Sequence, residues 1–437
     1  MRTSRLALAL AVLCSGVAGA DEAALLDRID HLETRILDLE AEQARTSSGA
    51  ASGGWADRVR IGGSANTGFF GGSTSPFDDS FKVWDARLFV DADLGRAVRL
   101  GQQTVFRNIA FNFEWNIVRI GSLDNNVGEL YVDFQGFLER GFLNFQAGRF
   151  QIPVGEAYLR YSQGYAENPF ISNPVGGPWW WDEGVRFYGS APGGRYGYVA
   201  SVTNGDTPFN YANGSGHQAT LKLFYRPLEW LYMSVSGLRS GEIGTTDSAA
   251  SGSLWLGESW ARAFGSGTSV PSFQDGAAVA PGPNVLHDTW LAAGDVILDF
   301  DDKLRAWFAY GHHGIDSADT AFYDRTLHYW IAELILRGAW ASEALRPFYV
   351  GLRANALATF DRDEGYSLDK GLRSTLGYNM ESLTAWSGVL GWNLTGNVRL
   401  RVEYTRLEID LVRGVPDAIR DASGDSDLYA FEVGVAF

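Results

Sequence analysis

One cysteine, three methionines, six histidines and four lysines (Lys82, Lys222, Lys303 and Lys370) stand in a chain of 437 residues. The lone Cys14 excludes disulfides within the chain and metal sites built from several thiolates. After the first twenty residues no stretch reaches the roughly 18 consecutive apolar residues that a membrane-spanning helix needs. Basic residues number 36 against 52 acidic ones, a net charge of -16. Phosphate binding needs clustered Lys and Arg, so this balance excludes a nucleic-acid partner. No histidine joins a triad. His312 and His313 are adjacent, and on a strand adjacent side chains point to opposite faces, which is poor for joint metal binding. Asp421 to Asp427 carries acidic residues at odd spacing but lacks the glutamate that closes a calcium loop. No nucleophile stands beside a base. No enzyme activity, cofactor or metal is therefore expected.

Glycine and aromatic rings are plentiful: 52 Gly, 26 Phe, 18 Tyr and 15 Trp. With 46% hydrophobic and 20% charged residues the chain as a whole cannot be disordered. The mixture suits many strands and turns with rings at a surface that is not water.

Residues 1–20 read as a secretory signal. Arg2 and Arg5 give a basic start, Leu6 to Leu13 an apolar run, and Ala18-Gly19-Ala20 a small-residue cleavage pattern. Cleavage removes Cys14 and two arginines, so the mature charge becomes 34 − 52 = −18. Residues 21–44 read as a coiled-coil helix. Leu25, Ile29, Leu32, Ile36 and Leu39 form a heptad seam. Arg28, Ile29, Leu32 and Glu33 are repeated as Arg35, Ile36, Leu39 and Glu40. This R-I-x-x-L-E pattern resembles a short trimerisation motif of coiled coils and implies a homotrimer; an amphipathic helix lying on its own domain is the alternative. So short a helix is marginal alone. Residues 45–54, rich in Gly and Ser, read as a flexible tether.

From Trp55 the pattern alternates. Tyr429, Phe431, Val433, Val435 and Phe437 alternate with Leu428, Ala430, Glu432, Gly434 and Ala436. Val398, Leu400, Val402 and Tyr404 alternate with Arg399, Arg401, Glu403 and Thr405. Trp84, Ala86, Leu88 and Val90 alternate with Asp85, Arg87, Phe89 and Asp91, and Ile109, Phe111, Phe113, Trp115 and Ile117 with Asn108, Ala110, Asn112, Glu114 and Asn116. Charge in strand middles points to a wet interior. Segments of ten or more residues match a tilted transmembrane strand, and lipid offers no partner for an open edge, so the sheet must close. Sixteen segments are predicted, near 57–71, 80–95, 103–119, 127–136, 141–150, 184–191, 195–204, 217–227, 230–240, 288–300, 303–312, 327–340, 345–358, 379–394, 397–411 and 427–437. The fold class is all-β, a closed antiparallel transmembrane barrel over residues 55–437, in lipid, with an aqueous lumen for small hydrophilic solutes or ions. Short links such as Arg226-Pro227-Leu228-Glu229 read as periplasmic turns. Phe437, with Val435 and Phe431 before it, is similar to the C-terminal signature of outer-membrane barrels. That likeness implies recognition by the barrel-assembly machinery and residence in the outer membrane of a Gram-negative bacterium.

One connection stands out. Residues 151–183 are rich in Pro and aromatics, too apolar to extend into water, and are expected to pack on the lumen wall. Arg149, Arg160 and Arg186 are the candidate pore cations, to be met by Asp133, Asp182 and Glu183, with Arg87 on the same lumen; such pairs either anchor the loop or focus a selective field. Trp179 to Trp181 read as girdle or loop-anchor rings. Leu143–Glu156 (L-x-F-x-A-G-R-F-x-I-P-V-G-E), with Trp181-Asp182-Glu183-Gly184-Val185 beyond it, resembles the phosphate-selective porin O and P family. The resemblance implies a trimeric, sixteen-stranded outer-membrane porin whose third loop folds into the barrel. Phosphate selection in that family is attributed to arginine lining and lysine clusters, and four lysines do not supply such clusters. The expectation is a passive porin, with anions such as phosphate among its solutes. The rival expectation is a nearly closed barrel that tethers the outer membrane to the cell wall through its coiled coil.

Overall fold

The computed structural model describes residues 58–72, 79–119, 122–139, 142–156, 168–172, 174, 181–191, 193–204, 217–241, 243–244, 286–301, 303–317, 325–359, 380–411, 413–414 and 425–437. Contacts divide the chain after Arg58, and Val59–Phe437 is one compact unit. The signal, the coiled-coil residues Arg28 to Glu40 and the tether lie outside the described residues.

The compact unit is a single closed antiparallel sheet. Its strands are β1 (Val59–Gly72), β2 (Ser80–Leu100), β3 (Gln103–Arg119), β4 (Ser122–Gln135), β5 (Asn144–Gln151), β6 (Trp181–Ser190), β7 (Tyr196–Thr203), β8 (Gln218–Leu228), β9 (Leu231–Ser240), β10 (Ile243–Gly244), β11 (Leu286–Phe300), β12 (Leu304–Ser317), β13 (Arg325–Arg337), β14 (Phe348–Thr359), β15 (Met380–Asn393), β16 (Val398–Leu411) and β17 (Ser426–Ala436). β9 and the two-residue β10 both pair with β11, so together they make one stave and the barrel has sixteen. Each stave pairs with its sequence neighbour, and β1 pairs with β17 from Ser64↔Ala436 to Gly72↔Leu428, which closes the ring.

Alternation along each strand sorts side chains between lipid and lumen. On β17, Tyr429, Phe431 and Val435 are exposed outward while Leu428, Ala430 and Glu432 are buried inward. On β16, Val402 and Tyr404 face outward and Arg399, Arg401, Glu403 and Thr405 inward. Phe437 is exposed, and its backbone exchanges two hydrogen bonds with Gly63 (2.9 and 3.0 Å), extending the seam by one rung. At one end the links are tight, as at Gly101-Gln102, where Gly101 takes φ +64°.

Two expectations are corrected. Trp84 does not share the outward face of Ala86, Leu88 and Val90. The register between β1 and β2 slips at Asn66/Thr67, and the extra residue turns Trp84 inward, buried and stacked on Phe70 at 4.5 Å. Nor is the interior wet all round. Trp307, Tyr329, Ile331, Leu357, Leu383, Leu407 and Leu428 form a buried apolar cluster on the inner face of β12–β17. Ile152, Val154, Ile171 and Trp181 belong to the same cluster. The covering is supplied by the chain that leaves β5.

Candidate functional site: the loop held inside the barrel

The strand β5 ends at Gln151, and the segment Ile152–Glu156 runs on, buried throughout. Ile152 and Val154 bring apolar surface to an inner wall that is itself apolar, so burial drives the approach. Polar groups then fix the position. Gly155 N–H donates to Ser236 Oγ (2.8 Å), and Lys222 Nζ donates to Gly155 O (2.9 Å). The Glu156 carboxylate is paired with Lys222 and accepts from the Tyr232 hydroxyl. Glu156 N–H donates to Asp295 Oδ1 (3.3 Å), which also accepts from Trp307 Nε1 (3.0 Å). Residues of β8, β9, β11 and β12 thus hold the first piece of the loop.

A second piece is held elsewhere. Tyr349 Oη donates to Pro169 O (2.7 Å), and Arg401 Nη1 donates to Asn168 O (2.8 Å) and to Phe170 O. Arg353 lies over the Phe170 ring (4.3 Å) and donates to Ser172 O (3.0 Å). Glu403 accepts from the backbone N–H of Ile171 and of Ser172 (3.2 Å) and from Ser172 Oγ. Arg401 is braced by Glu432 on the neighbouring strand (Nε to Oε1, 3.0 Å). These partners sit on β14, β16 and β17. One loop is therefore clamped to two separate arcs of the inner wall. Backbone groups of Gly155, Glu156 and residues 168–172 thus find partners on the wall, which eases the burial of irregular backbone.

The expected site residues are distributed unevenly. Arg149 pairs with Glu183 (2.8 Å) and its Nε donates to Val127 O and Gly128 O (3.1 and 3.0 Å). The register sets Arg149 opposite Leu130 and Glu183, the row that alternates with the inward Gln146 and Arg186. Arg149 is buried, and the pair ties β4, β5 and β6 together where the loop begins. Arg186 does face inward, but its partners are Gln146 Oε1 (2.6 Å) and Gln151 O (3.1 Å), with the Phe150 ring at 4.7 Å. Asp133 accepts from the Tyr188 hydroxyl (2.9 Å) and from Gln135 (2.8 Å). Asp182 is fully buried, and its Oδ1 accepts from Glu183 N–H (2.8 Å). Arg87 pairs with Asp85 (2.9 Å) and Glu114 (3.0 Å). Arg160, Trp179 and Trp180 lie outside the described residues. Trp181 is buried among the loop's apolar residues, as an anchor would be.

Sequence reasoning missed Lys222, Tyr232, Asp295, Tyr349 and Arg353 as loop holders. It placed Arg401 and Glu403 on the lumen side without a task for them. Lys222 carried a signal: a lysine at inward parity between Leu221 and Leu223 needs a buried partner.

The barrel fold has counterparts among solved structures. The chain is similar to a loop-deletion form of OmpT, an outer membrane protein of Vibrio cholerae (TM-score 0.54, 9% identity, covering 87% of this chain and 99% of that one). It is similar to the outer membrane channel DcaP of Acinetobacter baumannii (TM-score 0.54, 11% identity, 87% and 97%). It is likewise similar to Salmonella typhi OmpF (TM-score 0.53, 9% identity, 87% and 97%). The chain has the fold of outer-membrane β-barrels. No family model and no curated protein matches the sequence.

Proposed function

We propose that this protein is an outer-membrane porin, a water-filled channel through which small hydrophilic solutes diffuse passively. The observation that carries the reading is a closed barrel of sixteen staves with one loop clamped inside it, since a loop folded inward narrows a lumen and sets which solutes can pass. The homotrimer expected from the R-I-x-x-L-E repeats is part of the proposal, and a trimer form of Vibrio cholerae OmpT shares the fold (TM-score 0.52). Purified protein in a planar bilayer is expected to conduct in steps grouped in threes. A silent bilayer would overturn the reading, and reversal potentials in a salt gradient will rank anions against cations.

Phosphate is the narrower proposal, resting on the likeness of Leu143–Glu156 and Trp181–Val185 to the O and P porins. Lys222, Arg353 and Arg401 are occupied in holding the loop. A phosphate path must therefore use other arginines, and phosphate block of a chloride current tests it.

The apolar filling of the β12–β17 side favours a second reading, a barrel so narrowed that it serves chiefly to tether the envelope through residues 21–44. Deleting residues 21–54 separates the two. Loss of envelope attachment with conductance retained would assign the segment to tethering.

A further inference from the structure

The outer wall carries a depression of about 650 Å³ across β11–β16. Two rows of outward residues build it. One runs Phe308, Ala332, Ala354, Trp386 and Arg406, each the register partner of the next; the row beside it runs Ala306, Leu334, Leu352, Gly388 and Tyr404. Small residues make the floor, and Phe308, Leu352, Trp386 and Tyr404, all about half exposed, make the walls. At the Arg406 end the lining turns polar. Arg406 pairs with Asp425 (2.7 Å), Asp427 (3.1 Å) and Glu408 (3.9 Å). Tyr404 Oη donates to Asp427 (2.5 Å), and Asp410 accepts from Ser382 (2.8 Å).

We propose that this groove binds one lipid molecule with an amine-bearing headgroup, its acyl chain on the alanine floor and its ammonium at the carboxylates around Arg406. The inference rests on the barrel spanning a membrane, not on its conducting. The groove lies on the hydrocarbon-facing surface, where an acyl chain fills apolar space at no cost in polar desolvation. Charge selects the headgroup. Three carboxylates (Glu408, Asp425 and Asp427) surround one guanidinium, leaving an excess of negative charge that repels an anionic headgroup and attracts an ammonium. In a zwitterionic ethanolamine headgroup the phosphate has Arg406 beside it while the amine takes the surplus carboxylates.

The test uses the full protein in detergent with equal amounts of phosphatidylethanolamine and phosphatidylglycerol, analysed by native mass spectrometry. The expected result is retention of phosphatidylethanolamine over phosphatidylglycerol. Ala354→Trp, which fills the floor from the outside of the wall, should lower retention about tenfold, a factor equal to about 1.4 kcal/mol. Asp425→Asn combined with Asp427→Asn should abolish the preference while keeping the groove. Equal retention of both lipids, or full retention by Ala354→Trp, would overturn the proposal. So would loss of subunit association in Ala354→Trp, because the groove would then face another copy. Bilayer conductance of the same variant should not change, which separates this outcome from failure of the channel reading.

Discussion

Glu403→Ala is expected to raise single-channel conductance severalfold and make it noisy. The carboxylate is the acceptor for Ile171 N–H, Ser172 N–H and Ser172 Oγ, and it stands 4.0 Å from Arg353. Its removal leaves two loop amides and the Ser172 hydroxyl without their acceptor, in buried surroundings. A buried donor left without its acceptor costs about 1–3 kcal/mol. That cost falls on the loop and not on the wall, because the β15–β16 and β16–β17 ladders are backbone pairs that do not involve the side chain. The second piece of the loop should therefore leave β14–β17 while Lys222 and Asp295 still hold the first. Glu403→Gln keeps the shape and one acceptor oxygen, so its effect should be smaller. The measurement is single-channel recording, with heat-dependent mobility on gels to show that the barrel remains folded. Unchanged conductance would mean that residues 168–172 do not bound the open path.

The contrast between wall and loop also explains what was legible in the sequence. Residues near 397–411 and 141–150 were expected as strands, and they are Val398–Leu411 and Asn144–Gln151. Period-2 alternation has to survive in a wall that separates lipid from lumen, so it marks strands and faces together. Trp84 escaped because a bulge is one residue of slip, which neither composition nor alternation announces. The Arg149–Glu183 contact was among the pairings expected of the loop's charges, because both residues lie at strand ends where the loop begins and returns. The clamps were the least legible. Arg401 serves backbone carbonyls of Asn168 and Phe170, more than 230 positions away in sequence, and a carbonyl has no residue type to recognise. The sequence could show that Arg401 and Glu403 point inward; only the folded loop shows what they hold.

Gly68→Val is expected to prevent closure of the barrel. Gly68 lies in the seam between β1 and β17, opposite Glu432. A Cβ at this position would stand 2.0 Å from Phe431 O and 3.0 Å from Glu432 Cα. These are backbone atoms of the partner strand, so no rotamer change relieves the collision, and the two strands must separate or slip. Slipping by one residue would turn Tyr429, Phe431 and Val433 into the lumen and Glu432 into lipid, which the alternation forbids. Separation opens the one junction that joins the first stave to the last. In lipid each backbone group left unpaired there costs several kcal/mol, so a partly open barrel is not a stable alternative. The expected outcome is protein that stays protease-sensitive and shows no heat-dependent change in gel mobility. Ala65→Val is the control: Ala65 is exposed on the outward parity of the same strand, paired with Val435, and an extra branch there meets hydrocarbon. It should fold normally. A folded, heat-modifiable Gly68→Val barrel would show that the seam tolerates a gap at its centre, and the requirement for continuous pairing between β1 and β17 would have to be given up.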